Sequence, residues 1–260
     1  MKISYDARGL AEPHAQAPET AVIEGEGAGR TAVFDAGGLS TRQINLELRR
    51  LIYAEGITDV TVRNPGAKHS IAVGILARCR ITIDGSLGYF GCGLIDGPEI
   101  RVTGRVGWSV AENMMSGVIV IEKNAGSLTG AALRGGDVVI RGDVGARTGI
   151  DQKGGTILVG GDAGLLTGFM MQRGHQIICG NVGSGLGDSM YDGAIYVGGK
   201  IASLGVDCVE AERTAADDEF LARKLRIYGM EPNVTFRKFV CGQKLWNYDN
   251  LEPAERKLVL

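Results

Sequence analysis

Residues 142–149 read GDVGARTG and residues 161–168 read GDAGLLTG. Glycine-rich turns like these can cradle a phosphate, because backbone N–H groups unshielded by side chains converge on the anion. Asp143 and Asp162 within them, and Asp188 further on, have the right chemistry for general acid or base work. His14, His69 and His175 could bind a metal or move protons. Cys79, Cys92, Cys179, Cys208 and Cys241 could ligate a metal or a cluster. Spacing argues against each use. GEGAGR and GSGLG do not place G-x-G-x-x-G between a strand and a helix, and GAIYVGGK lacks the Ser or Thr that a phosphate loop needs after Lys200. There is no CxxC and no HExxH, and the cysteine number is odd, which favours reduced, apolar thiols over a disulfide framework or a zinc site. Asp143, Asp162 and Asp188 fall at turns, where Asp bonds nearby backbone. His69 falls at a corner, His175 starts a strand, and His14 lies in an N-terminal arm; structural roles are expected for all three.

The phrases recur because the architecture does. Gly88, Gly107, Gly126, Gly145, Gly164 and Gly183 are nineteen residues apart, and the series extends back to His69 and forward to Ala202. Seven residues before each anchor come Val62, Ile81, Ile100, Ile119, Val138, Ile157, Gln176 and Ile195. Five before come Asn64, Ile83, Val102, Ile121, Ile140, Val159, Ile178 and Val197. Two mostly β-branched columns two positions apart describe one face of a strand. Glycine then bends the chain, since it alone takes positive φ cheaply. A nineteen-residue unit of strand, bend, short strand, bend and strand is too short for a βαβ crossover of about 30 residues. The expected fold is therefore mainly β: a single-stranded, right-handed parallel β-helix of seven to eight coils over residues 62–205. Its six anchor glycines are the structural corners.

The residue between the two inward columns should face outward. It runs Arg63, Thr82, Arg101, Val120, Val139, Leu158, Ile177, Tyr196, so the outer face turns from polar to apolar along the rod. Either the chain's own termini cover the apolar part or a partner subunit does. Val120, Val139, Leu158, Ile177 and Tyr196 are thus candidate partner contacts, together with Trp246 and Tyr248 of the aromatic C-terminal tail. Residues 1–61 read as an N-terminal arm and a strand–helix–strand cap. Its helix starts at Ser40 or Thr41, carries Ile44, Leu48, Leu51 and Ile52 on one face, and stops at Gly56. Residues 206–260 read as a helix with Leu221, Leu225 and Tyr228 on one face, followed by a docking tail.

Composition narrows the function classes. Glycine numbers 41 of 260 residues, roughly twice the usual ~7%. The formal charge of −2 offers no basic patch for nucleic acid or an anionic membrane. No run of 18 apolar residues is present, and the N-terminus lacks a signal-peptide core, so a cytoplasmic location is expected.

The stretch GSLGYFGCGLIDGPEIRVTGRVGWSVAENMMSG, continuing through GGDVVIRGDVGARTGIDQKGGTILVGGDAGLLTGFMMQRG, resembles the GXGXG β-helix at the C-terminus of the glutamate synthase large subunit. The resemblance covers about residues 31–205, and the length and the tail ending CGQKLWNYDN are most similar to the stand-alone domain-3 subunits of N-methylglutamate synthase. That resemblance implies a non-catalytic scaffold within a hetero-oligomer converting glutamate and methylamine to N-methylglutamate and ammonia. It implies an FMN-binding glutamate-synthase-like subunit and a class II amidotransferase-like subunit as partners. FMN and any iron–sulfur cluster would belong to the FMN subunit, with no cofactor and no catalytic residue in this chain. The equivalent scaffold of a formylmethanofuran dehydrogenase or formyltransferase/hydrolase complex is the alternative. A free-standing β-helix enzyme would need carboxylates or a Ca²⁺ site clustered on consecutive coils, which the columns do not show.

Overall fold

The computed structural model describes residues 21–24 and 29–243. Among these residues the fold is a parallel β-solenoid with two α-helices. Among the described residues, twelve strands form one sheet in the order β1-β2-β3-β4-β5-β6-β7-β8-β9-β10-β12-β11. The strands are β1 Val22–Glu24, β2 Thr31–Asp35, β3 Asp59–Arg63, β4 Arg80–Asp84, β5 Asp96–Val102, β6 Ser116–Ile121, β7 Asp137–Ile140, β8 Lys153–Val159, β9 Arg173–Ile178, β10 Ala194–Val197, β11 Cys208–Ala211 and β12 Arg237–Cys241. From β2 to β10 every pairing is parallel. From β4 onward the two inward columns stack in register, Ile81 over Ile100 over Ile119 and Ile83 over Val102 over Ile121. These side chains are essentially fully buried. Each such burial contributes ~1.5–3 kcal/mol, so the columns form the core that holds the rod together.

The first coils depart from the nineteen-residue period. Val60, not Val62, lies beside Ile81, and Val62 lies beside Ile83. The outward residue of that rung is therefore Thr61 rather than Arg63, and Asn64 has left the strand with φ 51°. On the turn side Ser70 donates to Tyr89 O as Phe90 donates to Trp108 O, so His69 is the counterpart of Tyr89 and Lys68 takes the anchor position. One step earlier, β2 lies parallel to β3 with Ala32 beside Val60 and Phe34 beside Val62. This unit is long enough for a helical crossover and contains one, α1 (Thr41–Arg49), followed by a π-helical turn at Arg50–Ala54. Ser40 caps α1 in a reciprocal capping box with Gln43. Ile44, Leu48, Leu51 and Ile52 enter the core, and Gly56 ends the segment at φ 66°.

The anchor glycines serve a different purpose from the one their spacing suggests. None of the six has positive φ. They are required by proximity: a Cβ on Gly164 would lie 2.6 Å from Ala146 N, and one on Gly145 would lie 2.5 Å from Ser127 N. The coils touch backbone to backbone there. Left-handed backbone lies instead on the side after the anchor, where alternate residues of each coil adopt it. Ser109, Ala111 and Asn113 have φ near 58°, 61° and 55°. The alternation flips successive peptides, so Ser109 N donates forward to Ser127 O, Ala111 N donates back to Gly91 O, and Asn113 N donates forward to Ala131 O. This side is a hydrogen-bonded ladder of turns where a strand was expected, and its backbone groups are satisfied in both directions.

Between strand and turn side, the residue before each anchor forms a one-residue parallel bridge, Leu87 to Val106 to Ala125 to Val144 to Ala163 to Val182 to Ile201. At both ends an antiparallel strand closes the stack: β1 pairs with β2, and β12 pairs with β10, setting Phe239 beside Ile195.

Candidate functional site

The carboxylates that could have done chemistry are engaged between coils. Asp162 N donates to Asp143 Oδ1 at 2.9 Å and Asn181 N donates to Asp162 Oδ1 at 2.7 Å; Asn124 and Asn181 continue the ladder by accepting from Asp143 N and Lys200 N. The sequence placed these aspartates at turns bonding their own backbone; they bond the next coil's backbone instead. Asp188 accepts from the Ser189 hydroxyl at 2.8 Å. Among the described residues no three His, Cys, Asp or Glu side chains gather as a metal site would require.

The apolar outer strip is covered by the chain itself. Helix α2 (Ala215–Ile227) lies over it, and Val139, Leu158, Ile177 and Tyr196 are at most 1% exposed beneath Leu221 and Phe236. Val120 is partly buried at the margin of the same cluster, with Phe220, Leu225, Tyr228 and Met230. Of the two coverings open at the sequence level, the one over Val139, Leu158, Ile177 and Tyr196 is therefore internal. Trp246 and Tyr248, like His14, lie outside the described residues.

Polar side chains fix α2 in place. Thr214 caps it in a reciprocal box with Asp217. Asp217 also accepts from Tyr196 Oη at 2.6 Å and from Lys238 Nζ at 2.9 Å. Burial opposes its charge, but the hydrogen bonds from Tyr196, the Thr214 backbone, Lys238 and the Thr214 hydroxyl prevail and hold the carboxyl well below its ordinary range. Burial also pushes the Tyr196 phenol up, as does its bond to Asp217. One turn before the helix ends, Lys224 Nζ donates to Asp137 Oδ1 at 2.6 Å, and Tyr228 Oη donates to Asp137 Oδ2 at 2.5 Å. His175, whose ring lies tilted against Phe220 with centroids 4.3 Å apart, is half-buried under α2. Burial lowers its imidazole pKa, as does Lys224.

The opposite end of the rod presents a surface that the sequence reading missed. His69, Tyr89 and Trp108 stack along consecutive coils with ring centroids 4.7 and 5.5 Å apart. Tyr89 is 52% and Trp108 54% exposed. Tyr53, Leu76, Leu94 and Met115 are also exposed; Tyr53 Oη accepts from Leu76 N at 2.7 Å. The available signal was a ring-bearing residue just after the anchor in each of three coils, hidden for His69 by the one-residue slip.

No family model matches the chain. Over 89 residues it is 37% identical to Protein GlxC of Rhizobium meliloti (strain 1021). The match covers 34% of this chain and 39% of GlxC, so the chain spans well under two thirds of that relative. Among the described residues no helix is long and apolar enough to cross a membrane.

Proposed function

We propose that the chain is a non-catalytic scaffold in a glutamate-synthase-like complex, with N-methylglutamate synthase its host. The observation that carries this reading is the use of the aspartates: Asp143 and Asp162 join coil to coil, and Asp137 and Asp217 hold α2 down. Their chemistry goes into building the rod. The similarity to GlxC and the GXGXG-like repeat support the glutamate-synthase-like class. The partners are an FMN-binding subunit and a class II amidotransferase-like subunit, and FMN resides in the former. With the back of the rod covered by α2, subunit contact falls to its front, where Tyr89, Trp108 and Leu76 are exposed. Large exposed rings of this kind are typical anchors of protein interfaces.

Native purification of the tagged chain from cells bearing all three subunits tests this. A yellow complex that survives gel filtration is expected, and a Tyr89→Ser, Trp108→Ser double variant should weaken it at least tenfold, about 1.4 kcal/mol. Turnover of glutamate and methylamine by the isolated chain, or flavin bound to it alone, would overturn the scaffold reading.

A further inference from the structure

We propose that Cys208 and Cys241 form a reversible disulfide that staples β11 to β12 at the closed end of the rod. Of the five cysteines, these two sit directly opposite one another in the antiparallel β11–β12 register. Gly242 N donates to Asp207 O at 2.7 Å. That bond brackets the pair and marks it as a non-hydrogen-bonded site of the ladder. Opposed Cα atoms at such a site are about 4.5 Å apart, within the ~4.4–6.8 Å that a disulfide spans. Directly opposed side chains share a face of the sheet, and both thiols pack against the interior core cluster. Cys79, Cys92 and Cys179 are buried just before β4, between β4 and β5, and just after β9, respectively.

Access differs between the two thiols. Cys208 is 6% exposed, and burial, followed by the neighbouring Cys241, pushes its thiol up to about 11. Cys241 is only partly buried, and its Sγ donates to Gln243 O at 2.9 Å. Oxidation by a small-molecule disulfide therefore begins at Cys241. Its thiolate attacks one sulfur of the oxidant, the other sulfur leaves as a thiol, and a mixed disulfide remains on Cys241. Cys208 then loses its proton and attacks Cys241 Sγ, and the second half of the oxidant leaves as a thiol. Two protein thiols become one disulfide as one small disulfide becomes two thiols. The bond locks the strand whose Phe239 closes the core and whose Lys238 holds α2.

The full-length chain, incubated with glutathione disulfide and then denatured, provides the test by thiol titration and peptide mapping. Accessible thiols should fall from five to three, with one cross-linked peptide pair joining Cys208 to Cys241 and full recovery on reduction. Cys208→Ser should instead retain one glutathione on Cys241. Five remaining thiols, four thiols with glutathione held by the wild type, or a cross-link between any other pair would each overturn the proposal; mapping the wild type decides it even if the variant fails to fold.

Discussion

The outer side of the rod has two halves built on one backbone pattern. At the front the outward residues are Thr61, Thr82 and Arg101, flanked by ion pairs: Arg80 meets Asp59 at 3.0 Å, and Glu122 bridges Arg101 at 2.8 Å and Arg141 at 3.0 Å. At the back they are Val139, Leu158, Ile177 and Tyr196, sealed under α2. Strand geometry does not separate the halves, since the inward columns run unbroken through both. One position per coil decides whether a rung is solvated or carries a helix. The fold and its dressing are thus independent, and α2 covers only the part where that position is apolar.

The sharpest way to break this contrast is to place a charge at the same register position in each half. Ile177→Asp should cost about 3–5 kcal/mol, because an unpaired carboxylate would be trapped beneath α2; Thr82→Asp should stay within about 0.5 kcal/mol. Urea unfolding of both variants measures the difference, and equal losses would mean that α2 does not seal the strip. Tyr196→Phe should cost about 1–2 kcal/mol by removing the donor to buried Asp217, again by urea unfolding.

A smaller effect follows from His175. Its folded-state pKa lies below the ordinary 6.5, so as pH falls through that value the unfolded chain takes up a proton that the folded chain resists. Stability from this group is present above pH 6.5 and drains away below it. The charges facing the ring are Lys224 and Asp217 of α2, Lys238 of β12 and Asp192 before β10. A urea midpoint that declines from pH 7.5 to 5.5 in the wild type, less steeply in His175→Gln, is the expected result. Smallest of all, Glu122→Gln at the front should cost only ~0.2–1 kcal/mol, and raising the salt should shrink the difference.

The period and the core were legible because in-register stacking forces like residues to recur: Ile81, Ile100 and Ile119 announce themselves. The slip in the first coil was not, because extra residues in a turn leave Val60 and Val62 equally plausible as the partner of Ile81. Glycine recurrence located the corners but misstated the cause at the six anchors, whereas Gly97, Gly117, Gly136, Gly155, Gly174 and Gly193 do take positive φ. Sequence alone does not separate a glycine needed for its φ from one like Gly164, needed because the neighbouring backbone is too close. The alternating left-handed turns were invisible, since Phe90, Leu128 and Arg147 share no side-chain character. The apolar outer strip was legible as a surface needing cover. That the cover was α2 required three dimensions, because Asp137 and Lys224 are 87 residues apart.

The reversed strands at the two ends have a consequence for assembly. In-register parallel stacking has no intrinsic limit, and each open rung would template another molecule, as in amyloid growth. At the first pole β1 meets an incoming coil against the grain; at the other, β12 occupies the free edge of β10 and carries β11 outside it, so a further coil cannot stack directly on the last parallel rung.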